Sequence, residues 1–195
     1  MLRSLVLFSV CFASCAMRAQ SPAEADANSR PALLGTLDKG TYSNRVIGFE
    51  IQLDPVCAIT NEARAIERAH QIPPRLSLTI RCGDDKVMLA SFQLFADEKA
   101  DLITQADPSL AGTIDGLGFS KRGDWQKVTT NGTEVLVQEI AGPRDSDDAA
   151  LGFYRAFLIG RRYVSILSIG PKGHRPQLSQ IGATLRVQAK ASEKN

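Results

Sequence analysis

The apolar and polar positions predict strands and short helices along most of the chain. Residues 46–53 are rich in strand-forming side chains and are closed by Pro55. Residues 76–81 and 87–96 predict two more strands, which a turn-prone cluster at residues 83–85 would join. These segments predict one strand followed by a hairpin.

Other segments favour helix. Asn61 is a good cap for a short helix, and Pro73 would stop it. Leu178, Ile181 and Leu185 fall on one face of a closing helix. We expect helices at residues 61–70, at residues 97–105, from Pro108 to about Gly116, and at residues 177–185.

Two hairpins are predicted in the second half of the chain. Asn131-Gly132 is a dipeptide that strongly favours a two-residue turn, and Gly160-Arg161 stands between two further apolar runs. The predicted strands of these hairpins are residues 125–130 with 133–140, and residues 151–159 with 162–169.

Residues 151–159 carry apolar side chains on both faces, which indicates a central strand covered on both sides. Together the elements predict an α+β domain. It would consist of an antiparallel sheet of five to seven strands with helices packed on it.

The N-terminus has the pattern of a signal peptide. Arg3 precedes an apolar stretch at residues 5–13, which is too short to span a bilayer. Cleavage is expected after Ala16 or Ala19. We therefore expect an exported protein, periplasmic or extracellular. The predicted divisions are a signal peptide at residues 1–19, a flexible linker at 20–35, one domain at 36–187 and a polar tail at 188–195.

The position of Cys15 is compatible with two kinds of signal-peptide processing. Residues 12–15 resemble a bacterial lipobox, whose cysteine is lipidated, but Phe12 and Cys11 replace the usual leucine-like residues. Lipidation would make the protein a membrane-anchored lipoprotein. Otherwise Cys15 leaves with the signal peptide.

Cys57 and Cys82 are the two cysteines of the mature chain. In an oxidising compartment a pair predicts a disulfide, which would stabilise the fold by about 3.5 kcal/mol on the chain-entropy estimate. Two free buried thiols are the alternative. Zinc would need more cysteines or histidines, and a redox pair would normally have C-x-x-C spacing.

Composition and charge exclude several classes of function. The chain has 195 residues, 44% hydrophobic and 23% charged, as in ordinary globular proteins. Its 23 Lys and Arg residues against 21 Asp and Glu give a net charge of +2, too little for a nucleic-acid-binding face. Loss of Arg3 and Arg18 would bring that charge to zero. A membrane would then be reached only through a lipid anchor.

Two stretches resemble a known family. Y-S-N at residues 42–44, G-F-E-I at 48–51 and Pro55 are similar to the opening of exported PsbP-like and LpqN-like proteins. The C-terminal order of strand, Gly160 turn, strand and closing helix is similar to the family's ending. One departure is that Val56 and Cys57 stand where relatives often carry tryptophan. The resemblance implies an α/β/α sandwich and a mostly non-enzymatic accessory or binding role outside a membrane.

The candidate catalytic and ligand motifs are weak. Residues 118–123 have phosphate-loop spacing, but Asp124 replaces the essential lysine. No G-x-S-x-G elbow exists, and only His70 and His174 could serve as a base; we expect a helix-end His70 and a solvated His174. Asp145, Asp147 and Asp148 form an acidic run without the glycine and glutamate of a calcium loop.

Two pairs of basic residues are the last candidates for a binding site. Arg161 and Arg162, with Lys172 and Arg175 nearby, would form a small positive patch, although a solvated face is the simpler expectation. These features predict no catalytic residues, no cofactor and no metal. The expected function is a non-catalytic binding or assembly domain with a protein or small-molecule partner in the cell envelope. The alternatives are a small exported hydrolase with dispersed site residues and a carrier of apolar ligands.

Overall fold

The computed structural model describes residues 32–60, 75–142 and 150–188, together with the backbone of residues 64–66. All of them belong to one compact unit, residues 31–195. Among these residues, neither helix has the length and apolar character needed to cross a membrane.

The described strands form two antiparallel sheets. The smaller sheet has the order β1 (Thr36–Asp38), β2 (Thr41–Asn44), β3 (Phe49–Gln52) and β12 (Arg186–Val187). The larger sheet has the order β4 (Ala58–Ile59), β6 (Arg75–Cys82), β7 (Asp85–Gln93), β11 (Arg162–Gly170), β10 (Ala150–Ile159), β9 (Thr133–Gly142) and β8 (Ser120–Thr130), and β5 (Arg64–Ile66) pairs with β6. The predicted α+β class is confirmed, but the expectation of one sheet with five to seven strands is wrong.

The larger sheet is the middle layer of the domain. Helix α1 (Leu102–Leu117) packs Leu110 and Ile114 against one face, which also carries Tyr154 and Tyr163. The small sheet covers much of the other face through a core that includes Phe49 and Phe157. Helix α2 (Arg175–Gln180) covers a neighbouring part of that face through Leu178. The domain is therefore layered as helix, sheet, and a second sheet with a short helix.

The central position of β10 is confirmed. Its residues are buried without interruption from Leu151 to Phe157, and it pairs with β9 on one side and β11 on the other. An uninterrupted apolar run indicates such a strand because both of its faces are covered. Both predicted hairpin turns are also present, and Asn131 and Gly132 have the positive φ angles that a tight turn requires, 47° and 81°.

The prediction of two helices around Pro108 is wrong, because one helix, α1, runs through it. The side chain of Asp101 caps its first turn by accepting from the Thr104 amide, and Gly118 ends it in the left-handed conformation. Pro108 lies on the exposed side, while Leu102, Ala106 and Leu110 form a buried stripe. Burial of that stripe offsets the local cost of a proline inside the helix.

The helix predicted at residues 61–70 is also wrong where it is described. Arg64–Ile66 is a strand, because its backbone groups pair with the edge of β6 in the register Arg64↔Ser77. Residues 61–63 and 67–70, which include His70, lie outside the described ranges. A segment this short has too little periodicity to separate helix from strand.

The predicted linker, the first predicted strand and the closing helix have different bounds in the structure. Leu33 and Leu34 are 2% and 6% exposed, so the end of the predicted linker belongs to the core. The strand predicted at 46–53 is shorter, Phe49–Gln52, because a turn precedes it. The closing helix ends at Gln180 rather than Leu185, and Gly182 then takes a φ of 92° that a helix cannot contain.

Candidate functional site

A groove of about 340 Å³ lies on the face of the larger sheet that α2 partly covers. Its floor comes from β8, β9 and β10, and one wall is the segment at the end of α2. We name it the Arg155 groove. It is lined by Gln126, Val128, Thr130, Val135, Val137, Phe153, Arg155, Ser179, Gly182 and Ala183.

Strand register brings the floor of the Arg155 groove together. Gln126 lies opposite Val137, and Val137 lies opposite Arg155, so one row of side chains crosses three strands. Val128 lies opposite Val135 in the neighbouring row. Because directly opposed residues point to the same face, both rows face the groove.

A bulge in β8 sets this register. The pairing shifts between Arg122 and Gln126, and Gly123 takes a φ of 70° within the irregular stretch. The amide of buried Gln138 holds the bulge by donating to the carbonyl oxygens of Arg122 and Gly123, at 2.9 and 3.2 Å. Bulges commonly redirect side chains in this way, and here Gln126 is placed opposite Val137.

Arg155 is the single charged residue among those that line the groove, and it is only 5% exposed. Its guanidinium donates to the carbonyl oxygen of Ser179 at 2.6 Å and to that of Leu178 at 3.4 Å. It also donates to Ser168 Oγ at 3.4 Å. Arg155 thus fastens the last turn of α2, where carbonyl groups lack helical partners, to the middle of the sheet.

The hydrogen-bond acceptors around Arg155 are all neutral. In the described part of the chain no carboxylate forms an ion pair with this guanidinium. Burial lowers the pKa of Arg155 to about 10, so the side chain remains a cation at neutral pH. A buried cation without a counter-charge costs several kcal/mol on the order-of-magnitude scale of ion desolvation.

The second guanidinium of this region has a different environment. The ring of Phe153 lies between Arg155 and Arg175, with centroid distances of 5.4 and 5.9 Å. Arg175, however, is exposed and makes a two-pronged ion pair with Glu139, at 2.6 and 3.2 Å. Only Arg155 of these two lacks a carboxylate among the residues described.

A second cleft, of about 320 Å³, lies at the corner of the domain and is named the Asp85 cleft. It is lined by Gln52, Leu53, Asp54, Val56, Cys82, Asp85, Gln177, Gln180, Ile181 and Thr184. Asp85 is 9% exposed, and its Oδ1 is 2.9 Å from His174 Nδ1. His174, which was expected to be solvated, is half-exposed and also hydrogen-bonded to Asp85.

The predicted cysteine pair is present as a Cys57–Cys82 disulfide. It joins the turn before β4 to the end of β6 and contributes Cys82 to the Asp85 cleft. Within the described ranges, no three His, Cys, Asp or Glu residues are grouped closely enough to hold a metal ion.

The positive patch, which was the alternative to a plain solvated face, does not form. Arg161 and Arg162 lie at one end of β11, whereas Lys172 and Arg175 follow its other end. A strand of nine residues spans roughly 30 Å, so the two pairs are far apart. Arg161 instead donates to the carbonyl oxygens of Phe95 and Glu98.

Other candidates fall in turns or outside the described residues. Residues 118–123, with the phosphate-loop spacing, form the end cap of α1 and the start of β8. Cys15, His70 and the acidic run at Asp145, Asp147 and Asp148 lie outside the described ranges.

Arg155 is not among the candidate residues predicted from the sequence. A signal was present, since this arginine interrupts an apolar strand that was predicted to be covered on both faces. A charged residue in such a strand is unusual enough to select it as a candidate. Its partners could not be selected, because they come from β8, β9 and the end of α2.

A solved structure of another protein shares the fold of this chain. No family model and no curated protein matches the sequence. A crystal structure from Bacteroides thetaiotaomicron matches with 10% identity and a TM-score of 0.44 over 73% of this chain, and the chain spans 46% of that protein's length. The solution structure of cyanobacterial PsbP (CyanoP) from Synechocystis matches with 9% identity and a TM-score of 0.54, over 83% of this chain and 98% of that one. The chain therefore has a PsbP-like fold, as the resemblance implied.

Proposed function

We propose that the chain is an exported, non-catalytic accessory domain of the cell envelope, and that it binds its partner or ligand in the Arg155 groove. The observation that carries the proposal is the buried Arg155 guanidinium, whose hydrogen-bond acceptors among the described residues are all neutral. A bound group that neutralises this cation would offset the cost of its burial.

The apolar surroundings of Arg155 support binding further. Phe153 and three valines line the groove beside the guanidinium. Ligand sites typically combine such an apolar lining with a few polar groups that fix orientation. The volume of about 340 Å³ lies at the small end of the usual range for ligand sites.

Export is supported by different observations. Arg3 and the apolar stretch at residues 5–13 fit a signal peptide, and Cys15 would provide an anchor if it is lipidated. A Cys57–Cys82 disulfide fits an oxidising compartment. The PsbP-like fold is compatible with an accessory role, in which the domain binds and does not catalyse.

The hydrolase alternative has one observation in its favour, the Asp85–His174 hydrogen bond beside the Asp85 cleft. A carboxylate that orients an imidazole is part of many hydrolase sites. The lining of this cleft offers a poor nucleophile, however, because Cys82 is in a disulfide and the Thr184 hydroxyl bonds to the backbone of Gln52. Binding is therefore the better-supported function.

Native mass spectrometry of the protein isolated from its own cell envelope tests the proposal. We expect a mass above that of the processed chain, and the excess should disappear in Ala183→Trp, which fills the groove. Ala111→Trp is the matched control, because Ala111 is an exposed alanine on α1, on the opposite side of the larger sheet. A bare wild-type chain, or an excess mass that survives Ala183→Trp, would contradict the proposal.

A further inference from the structure

The charge of the Arg155 groove restricts the ligand to an anion. Its lining contains one cation, Arg155, and no aspartate or glutamate. Arg175 cannot supply a second free charge, because Glu139 already neutralises it. One buried positive charge is balanced by one negative charge, which favours a monoanion over a doubly charged phosphate.

The hydrogen-bonding capacity of Arg155 is consistent with this restriction. A guanidinium has five N–H donors. Three hydrogen bonds from Nη1 and Nη2 are present, to Ser168, Leu178 and Ser179, and none is made by Nε in the described part of the chain. The unused N–H groups of Arg155 could serve a carboxylate oxygen while the bonds to Leu178 and Ser179 stay in place.

The floor of the groove determines which chemical groups the rest of the ligand can carry. Val135 and Val137 belong to β9, which pairs with β8 on one side and β10 on the other. Phe153 belongs to β10, which is likewise paired on both sides. The backbone groups of β9 and β10 beneath the groove are thus already bonded, whereas β8 pairs only with β9 among the described strands. The side chains of the floor present mainly hydrocarbon.

This floor separates two kinds of carboxylate ligand. A peptide lying over β9 and β10 would bring an N–H and a C=O group for each residue, and these polar groups would lose water without gaining a backbone partner there. An aliphatic chain has no such groups and gains from burial of its surface. From Gln126 to Thr130 the β8 side of the groove extends about 13 Å, enough for a medium-length chain.

We propose that the Arg155 groove binds aliphatic monocarboxylates, with the carboxylate at Arg155 and the chain over Val128, Val135 and Val137. The inference rests on the proposed function, since it names the ligand class of the same groove. Charge, donor capacity and the hydrocarbon floor support it independently of the family resemblance.

Three probes with one chain and different head groups test the inference. Calorimetric titration of the full processed protein would compare octanoate, octan-1-ol and octylammonium. We expect octanoate to bind at least about tenfold more tightly than the alcohol, the effect of one charge-assisted hydrogen bond, and octylammonium to bind least. Equal binding of all three, or absence of octanoate binding, would overturn the inference. A short apolar peptide that bound more tightly than octanoate would also overturn it.

Two substitutions of Val128 that differ in charge provide a matched pair of variants for the same titration. Val128 is 38% exposed on the edge strand, so substitutions there spare the core. Val128→Lys should bind octanoate more tightly than Val128→Glu, because both replace the same apolar side chain of the floor but add opposite charges to the groove that holds the carboxylate. Equal weakening by both would mean that the groove recognises only the chain.

The two proposals fail in different ways. If the probes bind equally while the native excess mass disappears in Ala183→Trp, the groove is a binding site and the carboxylate inference is wrong. If octanoate binds selectively while the native protein carries nothing, the ligand chemistry holds and the proposed function is wrong.

Discussion

The guanidinium of Arg155 donates a 2.6 Å hydrogen bond to the carbonyl oxygen of Ser179, twenty-four residues later in the chain. This contact links the central strand β10 to the end of α2. It also places the charged head of Arg155 at the wall of the groove, where Ser179 and Ala183 are exposed. One side chain therefore both fastens the last helix and supplies the charge of the candidate site.

Arg155→Met separates these two roles. We expect its free energy of unfolding to equal or exceed that of the wild type, because the substitution removes a buried cation that has no carboxylate partner among the described residues and whose desolvation is costly. Leu178 keeps a hydrogen bond from Ser168 Oγ at 3.1 Å, and exposed Ser179 can bind water instead. Urea denaturation gives the stability. Titration should find that the preference for octanoate over octan-1-ol is lost.

A different result for Arg155→Met would assign the residue to the fold. If the variant lost about 3 kcal/mol or more, the range for breaking a needed buried charge interaction, Arg155 would be structural. Arg175→Met is the comparison, because Arg175 is exposed and already paired with Glu139. It should retain the octanoate preference.

Gly182→Ala should destabilise the domain. Gly182 has a φ of 92°, and an added Cβ would lie 2.5 Å from Arg155 Cδ. Backbone strain alone costs on the order of 1–2 kcal/mol, and the overlap adds to it. In contrast, Gly112→Ala should stabilise by roughly 0.5–1 kcal/mol, because Gly112 lies inside α1 with open space around it. Thermal unfolding of both variants measures the effects, and similar stability changes in the two would contradict this packing.

Reduction of the Cys57–Cys82 disulfide should lower stability by about 2–4 kcal/mol. The bond restricts the unfolded chain and ties the β4 corner to β6. Denaturant midpoints with and without a reducing agent give the size of the effect. Thiol labelling of unreduced, denatured protein should find neither cysteine free, and labelling of both would refute the pairing.

Trp125→Phe should raise the pKa of Asp107 towards its ordinary value. The indole N–H donates to the Asp107 carboxylate at 2.7 Å, and this hydrogen bond, followed by Lys121, holds the pKa of Asp107 below its usual range. The contribution to stability is present above about pH 4, the unfolded value, and is lost as the pH falls through the lowered folded pKa.

Proton titration of Asp107 by NMR measures this change. Lys121→Met is the comparison and should also raise the pKa of Asp107, since the lysine both donates to this carboxylate and attracts its charge. The difference in unfolding free energy between wild type and Trp125→Phe should also shrink towards low pH. An unchanged pKa of Asp107 in Trp125→Phe would contradict the role of the indole hydrogen bond.

Features controlled by local chemistry could be predicted from the sequence. The Asn131-Gly132 turn follows from the positive φ angles that these residues tolerate, and the central place of β10 follows from its uninterrupted apolar run. The two cysteines of the mature chain favoured a disulfide by their number. Each inference depended on a short segment or on a residue count, with no knowledge of which segments meet.

Features that depend on distant contacts could not be predicted. Arg64–Ile66 is a strand because the edge of β6 pairs with it, and α1 runs through Pro108 because its buried stripe meets the larger sheet. The α+β class, the turns and the cysteine pairing follow from local patterns in the chain. That Arg155 lies beside Ser179 and the valines of β8 and β9 is a consequence of tertiary contacts. Strand register, a bulge and the end of α2 together place these groups in one groove, whereas propensities act within a few residues.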